Sequence, residues 1–290
     1  MYDVTAICVT YNSAGVIEAT LQSLSRIVLI KRIIVVDNAS QDNTRELVAT
    51  RFPHVTIIAN ATNEGFGRAN NKALSQVTTP YALLINPDAQ IDQPALEQLC
   101  RAAERYNDAA ILAPLLCDER QAIYPSHKRH VFEREARRDR YHVPEGDLCA
   151  NYLSGAIWLL PMPRFTRTGF FDSQIFLYYE DDDLCLRVKK AGFSCILVAS
   201  AQATHVMGSS SGPPSPAGER FKQYHMIASR LYIEQKYRGP YCAQTLRIRL
   251  MLGYAIKACL YGLTGNKMKW ARYAGRLSAC YRYTNSSHNR

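Results

Sequence analysis

The sequence predicts an α/β fold built on a mainly parallel sheet, followed by a helical extension. Two observations carry this prediction. Strand-like and helix-like segments alternate four times before residue 90, which is the pattern of βαβ units. Basic residues then concentrate in the last quarter of the chain, where the pattern changes to long helices. We therefore expect a sheet-containing domain over residues 1–218 and a helical extension over residues 219–290.

The four predicted strands are short apolar runs rich in β-branched residues, as strands buried on both faces of a parallel sheet usually are. They cover residues 4–10, 32–36, 55–59 and 81–85. The first strand leads into a polar turn, and we expect Asn12 or Ser13 to cap the following helix. The third leads into a turn whose Gly65 and Gly67 allow a tight backbone before the next helix.

Two of these strands end in acids. Asp37 follows the second strand, and Asp88 follows the fourth after Asn86 and Pro87. Because open α/β sheets bind ligands at the carboxyl ends of their strands, the two acids should lie along one functional edge. One acid could accept hydrogen bonds from the base or ribose of a nucleotide, and the other could bind a divalent cation that contacts the phosphates of the nucleotide. For Asp88 alone, a turn that only caps the helix near Pro94 is an equally good explanation.

The usual phosphate-binding loops do not occur in the sequence. The first strand-to-helix turn has no G-x-G-x-x-G pattern, and G-x-x-x-x-G-K-[ST] is absent from the whole chain. These observations argue against a standard nicotinamide site and against a P-loop NTPase.

Further candidate residues lie in the second half of the predicted domain. A strand over residues 153–160 has small residues around Gly155, which let a ligand or backbone come close. Four consecutive acids at 180–183 open a helix that Gly192 ends. The helix dipole alone favours acids there, but carboxylates that follow an aromatic run are only partly solvated, which suits a general base. His205 follows the strand predicted over 193–199, and is either a structural histidine or a metal ligand.

Five segments in this order carry a resemblance to a known family. They are Val9-Thr10-Tyr11-Asn12-Ser13, Val36-Asp37-Asn38-Ala39-Ser40, Asn63-Glu64-Gly65-Phe66-Gly67, Leu84-Ile85-Asn86-Pro87-Asp88 and Glu180-Asp181-Asp182-Asp183-Leu184-Cys185-Leu186-Arg187. Together they resemble the motifs of family 2 glycosyltransferases of the GT-A fold, and most of all the bacterial rhamnosyltransferase-like branch. The resemblance covers roughly residues 3 to 210.

The resemblance implies an inverting, metal-dependent glycosyltransferase that uses a nucleotide diphosphate sugar and Mg²⁺ or Mn²⁺. Asp181, or less favourably Glu180, would be the catalytic base, and Asp88 with His205 would bind the metal. The residues implied for the donor are Thr10, Tyr11, Asn12, Asp37, Asn38, Gly65, Arg68, Asn86, Asp88 and Gly155. In the general family pattern, Asp-x-Asp, the position of Asn86 is an acid, so this chain offers the ion fewer carboxylates.

The extension holds most of the positive charge. Residues 219–290 contain 14 Lys and Arg but two acids, against a net charge of +10 for the whole chain. Basic residues alternate there with Trp270, Tyr273 and other aromatics, and the apolar run in 246–263 is too short to span a bilayer, which needs about 20 residues. We expect an amphipathic segment on an anionic membrane surface. Packing on the catalytic domain, or on a second subunit as a homodimer, stays open as an alternative.

The expected setting is the cytoplasm, with the enzyme peripheral on the inner face of the plasma membrane. The nine scattered cysteines form no C-x-x-C pair, and residues 1–9 lack the features of a signal peptide. The donor would carry a dTDP-linked deoxyhexose such as rhamnose, and the acceptor would be a polyprenyl-diphosphate-linked glycan of a bacterial surface polysaccharide. Alternatives are a UDP-hexose donor, or a non-catalytic GT-A-like adaptor that binds membrane or nucleic acid. For the enzyme we expect no nucleic-acid partner.

A segment without clear periodicity, residues 117–147, separates the predicted strands near 109–113 and 153–160. It is interpreted as a solvated helix or loop, or as an acceptor-side loop whose arginines meet a diphosphate. His127 and His130 within it are interpreted as surface histidines.

Overall fold

The structure is a computed structural model that describes residues 2–128, 131–132, 143–206 and 215–283. The chain forms two compact units, and each is described by itself. The first consists of Met1–Asp172 and Asp181–Gly212, and the second of Ser173–Glu180 and Pro213–Arg290. Two parts of the segment over 117–147, residues 129–130 and 133–142, lie outside the described residues, and so does His130.

The first unit begins with the four predicted strands. These are β1 (Val4–Thr10), β2 (Ile30–Asp37), β3 (Thr56–Ala59) and β4 (Tyr81–Ile85), and they alternate with α1 (Ile17–Ser25), α2 (Thr44–Arg51) and α3 (Phe66–Leu74). They pair in parallel in the order β3-β2-β1-β4. Thr10 lies opposite Asp37 at the end of the β1–β2 ladder, so the polar strand ends share one edge of the sheet.

The remaining elements extend this sheet. They are β5 (Ala89–Gln90), α4 (Gln93–Arg105), β6 (Ala109–Cys117), β7 (Ile123–Tyr124), β8 (His127–Lys128), β9 (Leu148–Cys149), β10 (Tyr152–Leu153), β11 (Ile157–Pro161), a 3-10 turn (Met162–Arg164), α5 (Phe165–Thr168), α6 (Glu180–Lys190) and β12 (Ser194–His205). The strand order continues β4-β11-β6-β12-β5, with β11 antiparallel to both of its neighbours and β12 parallel to β6. A separate ladder joins β8 to β10.

The sheet is buried on both faces, which explains why its strands are continuous apolar runs. On β4, Leu83 and Ile85 belong to one hydrophobic cluster, while Ala82 and Leu84 belong to the cluster on the opposite face. Burying one leucine completely contributes about 1.5–3 kcal/mol, so these central strands fix the framework that carries the strand ends.

Several local expectations were wrong. Neither Asn12 nor Ser13 caps α1, whose N-cap is Val16; Asn12 has a positive φ, and its side chain accepts a hydrogen bond from the Gln41 amide instead. The strand expected over 153–160 is split between β10 and β11, because Ser154 donates its amide to Ser126 and the chain turns before Ile157.

Strand β12 is longer than the sequence predicted. It was expected over 193–199, but it runs on to His205 through a register shift between Val198 and Gln202. Beyond that shift it continues to pair with β6, and its last two residues also pair with β5. His205 is therefore the last residue of a strand and not part of the loop that follows.

The second unit contains three helices, α7 (Pro216–Arg238), α8 (Pro240–Leu263) and α9 (Lys267–Arg282). Ile227 and Leu231 of α7 form a buried cluster with Ala279 and Cys280 of α9. Gly275 lets the α7 and α9 backbones approach closely, since a Cβ there would lie 2.4 Å from the Arg220 carbonyl oxygen.

The short segment Ser173–Glu180 packs within this second unit. The Phe176 ring stacks on His225 with 4.2 Å between ring centroids, and Ser229 Oγ donates to the Leu177 carbonyl at 2.8 Å. Tyr178 and Tyr179 both have φ near +65°, a strained conformation for bulky side chains, immediately before α6 begins.

Exposed apolar side chains line one side of α8. We call it the α8 stripe, and its exposed large side chains are Tyr241, Ile248, Leu252, Ile256, Leu260 and Leu263. They recur every three to seven positions along one side of the helix. In the parts of the chain that the structure describes, no helix is both long and apolar enough to cross a membrane.

Candidate active site

Asp88 and His205 lie together at the edge of the sheet. β5 follows Asp88 directly and pairs with the end of β12, so that Ala89 lies opposite His205. The Val206 amide donates to the Asp88 carbonyl at 3.0 Å. As a result, Nε2 of His205 is 3.3 Å from Oδ1 of Asp88. Both side chains are largely buried, so the backbone ladder fixes their separation.

Asp88 does not cap the following helix. The N-cap of α4 is Asp92, whose Oδ1 accepts from the Ala95 amide at 2.9 Å. The Asn86-Pro87-Asp88 segment does form a turn, since the Ala89 amide donates to the Asn86 carbonyl at 3.1 Å. The explanation that Asp88 caps this helix is therefore wrong.

Tyr124 is a third member of this group, and sequence reasoning missed it. Its phenol oxygen lies 2.5 Å from Nδ1 of His205. Burial, and then the charge of Asp88, raise the pKa of Tyr124, so the phenol stays protonated at neutral pH. A phenol that donates to Nδ1 leaves the proton of a neutral imidazole on Nε2, where it faces Asp88.

Asp88 and His205 fit a divalent cation only if the ligand supplies further donors. Among the described residues there is no group of three or more His, Cys, Asp and Glu that could hold a metal ion. Magnesium-type sites commonly use one or two protein carboxylates together with substrate phosphates and water. A carboxylate and an imidazole side by side match that incomplete donor set.

Asp37 and Asn38 end β2 at the same edge and are both buried. Asp37 accepts weakly from Thr10 Oγ1 at 3.4 Å and from the Ser40 amide at 3.2 Å, which leaves lone pairs on its carboxylate. Asn38 is different, because its amide nitrogen donates to Asn63 Oδ1 and to the Gly65 carbonyl. Its amide oxygen accepts from the Asn60 side chain and from the amide of residue 64. All four hydrogen-bonding positions of Asn38 are used, so its side chain holds the loop in place.

The other predicted donor-site residues lie on loops around this edge. Tyr11 is exposed. The Asn12 amide donates to Ser40 Oγ at 2.9 Å, which joins the loops after β1 and β2. Gly65 is the N-cap of α3 with φ of 85°, a conformation that favours glycine, and Arg68 is exposed in the first turn of that helix.

Asp181 lies in the first turn of α6 and is held on both carboxylate oxygens. Tyr152 donates its phenol hydrogen to Oδ2 at 2.5 Å, and the Asp182 amide donates to Oδ1 at 2.9 Å. Gly155 packs against the same side chain, since a Cβ built on it would lie 3.4 Å from the Asp181 Cβ. Asp181 is partly exposed, whereas Asp182 and Asp183 are buried.

The four acids of α6 thus have different environments, as helical geometry predicts. Asp183 is fully buried and forms an ion pair of 2.8 Å with Arg187, whose guanidinium also donates to the Thr168 and Phe170 carbonyls. Asp183 therefore stabilises the fold. Glu180 is buried and belongs to the second unit, and Asp181 belongs to the first.

The turn before β11 connects the Asp88 side of the site to Asp181. The Asn86 amide donates to the Ala156 carbonyl at 2.9 Å, and the neighbouring Gly155 contacts Asp181. This turn of small residues therefore contacts both the loop that carries Asp88 and the Asp181 side chain. Trp158 of β11 is fully buried and stacks on Phe171. Its ring also packs next to Gly155 of the turn.

Comparison with known proteins agrees with this geometry. A family model described as glycosyl transferase family 2 matches residues 5–159. An N-acetylglucosaminyl-diphospho-decaprenol L-rhamnosyltransferase of Mycobacterium tuberculosis is 28% identical over 260 residues, which covers 77% of this chain and 83% of the relative. The dTDP-rhamnosyl transferase RfbF of Shigella flexneri is 22% identical over 255 residues, covering 82% of each chain.

Solved structures show the same fold. The mannosyltransferase PcManGT from Pyrobaculum calidifontis, solved with GDP-Man and Mn²⁺, matches with a TM-score of 0.58 at 16% identity and covers 98% of this chain and 90% of its own. Residues 1–349 of S. aureus TarS, solved with UDP, match with a TM-score of 0.54 at 14% identity, covering 97% and 91%. The predicted GT-A fold and the resemblance to rhamnosyltransferases are confirmed. Because the family model spans more than half of the sequence, including the strands that end at Asp37 and Asp88, the chain belongs to glycosyl transferase family 2 and is a glycosyltransferase.

Proposed function

We propose that this glycosyltransferase moves a deoxyhexose such as rhamnose from a nucleotide diphosphate to a lipid-linked glycan, with inversion at the anomeric carbon. One observation supports the proposal above all others: the turn Gly155–Ala156 lies between the Asp88 loop and the Asp181 carboxylate. We place the transferred sugar at this turn. The cation would bind on the side of Asp88, and the catalytic base would lie on the side of Asp181. The names of the two rhamnosyltransferase relatives support the sugar.

The cation side of the proposed site consists of Asp88 and His205. A bound Mg²⁺ or Mn²⁺ would supply charge neutralisation for the leaving nucleotide diphosphate. To offer Nε2 to a cation, His205 must carry its proton on Nδ1, and the Tyr124 oxygen at 2.5 Å is placed to accept that proton in a hydrogen bond. Asn86, in place of a second acid, keeps the negative charge of the protein at this point low.

The base side consists of Asp181, with Glu180 as the second candidate. The Asp181 carboxylate takes the proton of the acceptor hydroxyl while the hydroxyl oxygen forms the new bond to the anomeric carbon. The bond from that carbon to the diphosphate breaks, and its electron pair leaves with the diphosphate. Asp181 is favoured because it is partly exposed and contacts Gly155, whereas Glu180 is buried in the other unit.

The nucleotide would bind at the ends of β1 and β2. Asp37 has lone pairs left for a ribose or base, and Thr10, Tyr11 and Asn12 lie beside it on the neighbouring loop. Gly65 and Arg68 open α3, whose N-terminus favours an anion such as a diphosphate. In this assignment Asn38 shapes the pocket without touching the ligand.

The acceptor side is proposed to face a membrane. The relative from M. tuberculosis is named for a decaprenol-linked substrate, and a polyprenyl-diphosphate-linked glycan of a bacterial surface polysaccharide is the corresponding proposal here. The α8 stripe would enter an anionic bilayer surface, with exposed Arg249, Lys257, Lys267 and Lys269 at the headgroups. Neither α8 nor α9 contains an acid, which favours an anionic surface over a second, equally basic copy of the chain. The proposed location is the cytoplasmic face of the plasma membrane.

A thermal-shift screen tests the donor. A ligand at 100 times its Kd stabilises the folded state by about 2.7 kcal/mol. We expect a dTDP-deoxyhexose with Mn²⁺ to raise the melting temperature of the wild type more than a UDP-hexose does, and not to raise that of Asp88→Ala. A larger shift with UDP-hexoses would replace the sugar proposal, and no shift with either class would refute both proposed donors.

A further inference from the structure

Tyr152 donates a short hydrogen bond to Asp181, and the proposed reaction gives this bond no role so far. The oxygen–oxygen distance is 2.5 Å, which is characteristic of a hydroxyl that donates to an ionised carboxylate. Tyr152 belongs to the short strand β10, whose ladder with β8 places Tyr152 opposite Lys128. The ring is buried, and Nζ of Lys128 lies 5.0 Å from its centre.

Tyr152 is kept in its protonated, donating form. Burial, and then the negative charge of Asp181, raise the pKa of Tyr152 well above its usual value. A phenol in this state can donate one hydrogen and cannot compete with Asp181 for protons at neutral pH. Its hydroxyl hydrogen is donated to Oδ2 of Asp181.

Asp181 is fixed at three points. Tyr152 holds Oδ2, the Asp182 amide holds Oδ1, and Gly155 closes one side of the Cβ. Each carboxylate oxygen has room for a second hydrogen bond, so an acceptor hydroxyl can still bind. Without the phenol, only the Asp182 amide at Oδ1 would restrain rotation of the Asp181 carboxylate about its Cβ–Cγ bond.

We propose that Tyr152 is a positioning residue for sugar transfer, holding the Asp181 carboxylate in one orientation and in its ionised form. This inference rests on the proposed function, because it takes Asp181 as the base. A hydroxyl that donates to a carboxylate stabilises the ionised form of that carboxylate over its protonated form. We therefore expect loss of the phenol to reduce kcat most on the acid side of its pH profile. Among the described residues, the titratable groups near this pair include Asp182 and Cys185 of α6 and Lys128 of β8, and the variants below leave all three in place.

The test compares kcat and KM across a pH series for the wild type, Tyr152→Phe and Tyr106→Phe. Tyr106 is the matched control, because its phenol also donates to an aspartate, Asp147, at 3.0 Å. For Tyr152→Phe we expect kcat to fall about tenfold with donor KM unchanged. The acid limb of its kcat profile should move to higher pH. Tyr106→Phe should keep the wild-type profile.

A second variant makes the test independent of folding defects in Tyr152→Phe. Fluorotyrosine incorporated at position 152 keeps the ring and the hydroxyl but makes the phenol more acidic and a stronger donor. The acid limb should then move to lower pH, opposite to its movement in Tyr152→Phe. Acid limbs that stay at the wild-type pH in both variants would overturn the proposal.

Asp181→Asn separates this inference from the proposed function. If Asp181→Asn keeps full activity, Asp181 is not the base and the proposed mechanism fails, whatever Tyr152 does. If Asp181→Asn is inactive while both Tyr152 variants keep the wild-type pH profile, the mechanism stands and Tyr152 only packs the core. Opposite shifts of the two Tyr152 variants, together with an inactive Asp181→Asn, support the positioning role.

Discussion

Replacing Leu252 and Ile256 together by serine should separate membrane binding from folding. The two side chains are 62% and 71% exposed, and they lie near the middle of the α8 stripe. Full burial of a leucine or isoleucine contributes about 1.5–3 kcal/mol, so immersing the exposed parts contributes about 1–2 kcal/mol for each residue. The double variant should then lose about 2–4 kcal/mol of binding free energy. At 1.4 kcal/mol for each factor of ten, this is a loss of about 30-fold to several hundred-fold.

The assay is co-sedimentation with vesicles of anionic or neutral phospholipid across a salt series. Wild-type binding should require anionic lipid and weaken with salt, because the basic residues contribute electrostatically. The part of the binding free energy that comes from apolar burial should persist at high salt. The serine substitutions should reduce this part at every salt concentration. Val28→Ser is the control, since Val28 is 67% exposed on the first unit. Exposed positions change stability by within about 0.5 kcal/mol, so both variants should fold normally.

If the double variant sedimented with vesicles as strongly as the wild type, the proposal that the α8 stripe binds membranes would be refuted. A wild type that is dimeric in solution and a variant that is monomeric, with no lipid binding in either, would assign the stripe to a subunit interface. Point substitutions are preferable to truncation after α7, because removing α9 would expose Ile227 and Leu231 of the buried cluster.

Three further predictions concern the first unit. Asp88→Ala should abolish transfer and Mn²⁺ binding, measured by isothermal titration, while keeping the wild-type melting temperature; retained activity that still needs metal would contradict the metal assignment. Asp181→Asn should lower kcat by several orders of magnitude with little change in donor affinity, and a larger effect from Glu180→Gln would transfer the role of base to Glu180. Asp183→Asn should destabilise the protein by about 3–5 kcal/mol in urea unfolding, because it leaves Arg187 without its buried partner; a change below 1 kcal/mol would show that water already screens the pair.

The sequence was sufficient to predict the framework of the site. The apolar run of β4 ends where the polar turn begins, and parallel pairing then places Asp88 and Asp37 along one edge. The pairing of Asp88 with His205 was expected from the family resemblance alone. The structure gives its physical cause, the antiparallel ladder between β5 and β12.

Tyr124 and Tyr152 could not be predicted in this way. Each acts on a residue that is remote in sequence, and each belongs to a two-residue strand too short to show periodicity. A local pattern also cannot reveal that Asn38 has used all its hydrogen-bonding capacity, since its partners lie on the loop after β3. The sequence also leaves open which acid caps α4, because Asp92 and Asp88 both precede the helix closely.

The short ladder between β5 and β12 also determines when Asp88 and His205 come together during folding. The first four strands pair with near neighbours in sequence, and such local contacts form early at a low cost in chain entropy. The rung that joins Ala89 to His205 must wait until β6, β11 and β12 have taken their places. A chain still emerging from the ribosome can therefore present Asp37 on a paired sheet while Asp88 has no histidine beside it. The proposed cation site would thus be completed only after the proposed nucleotide site.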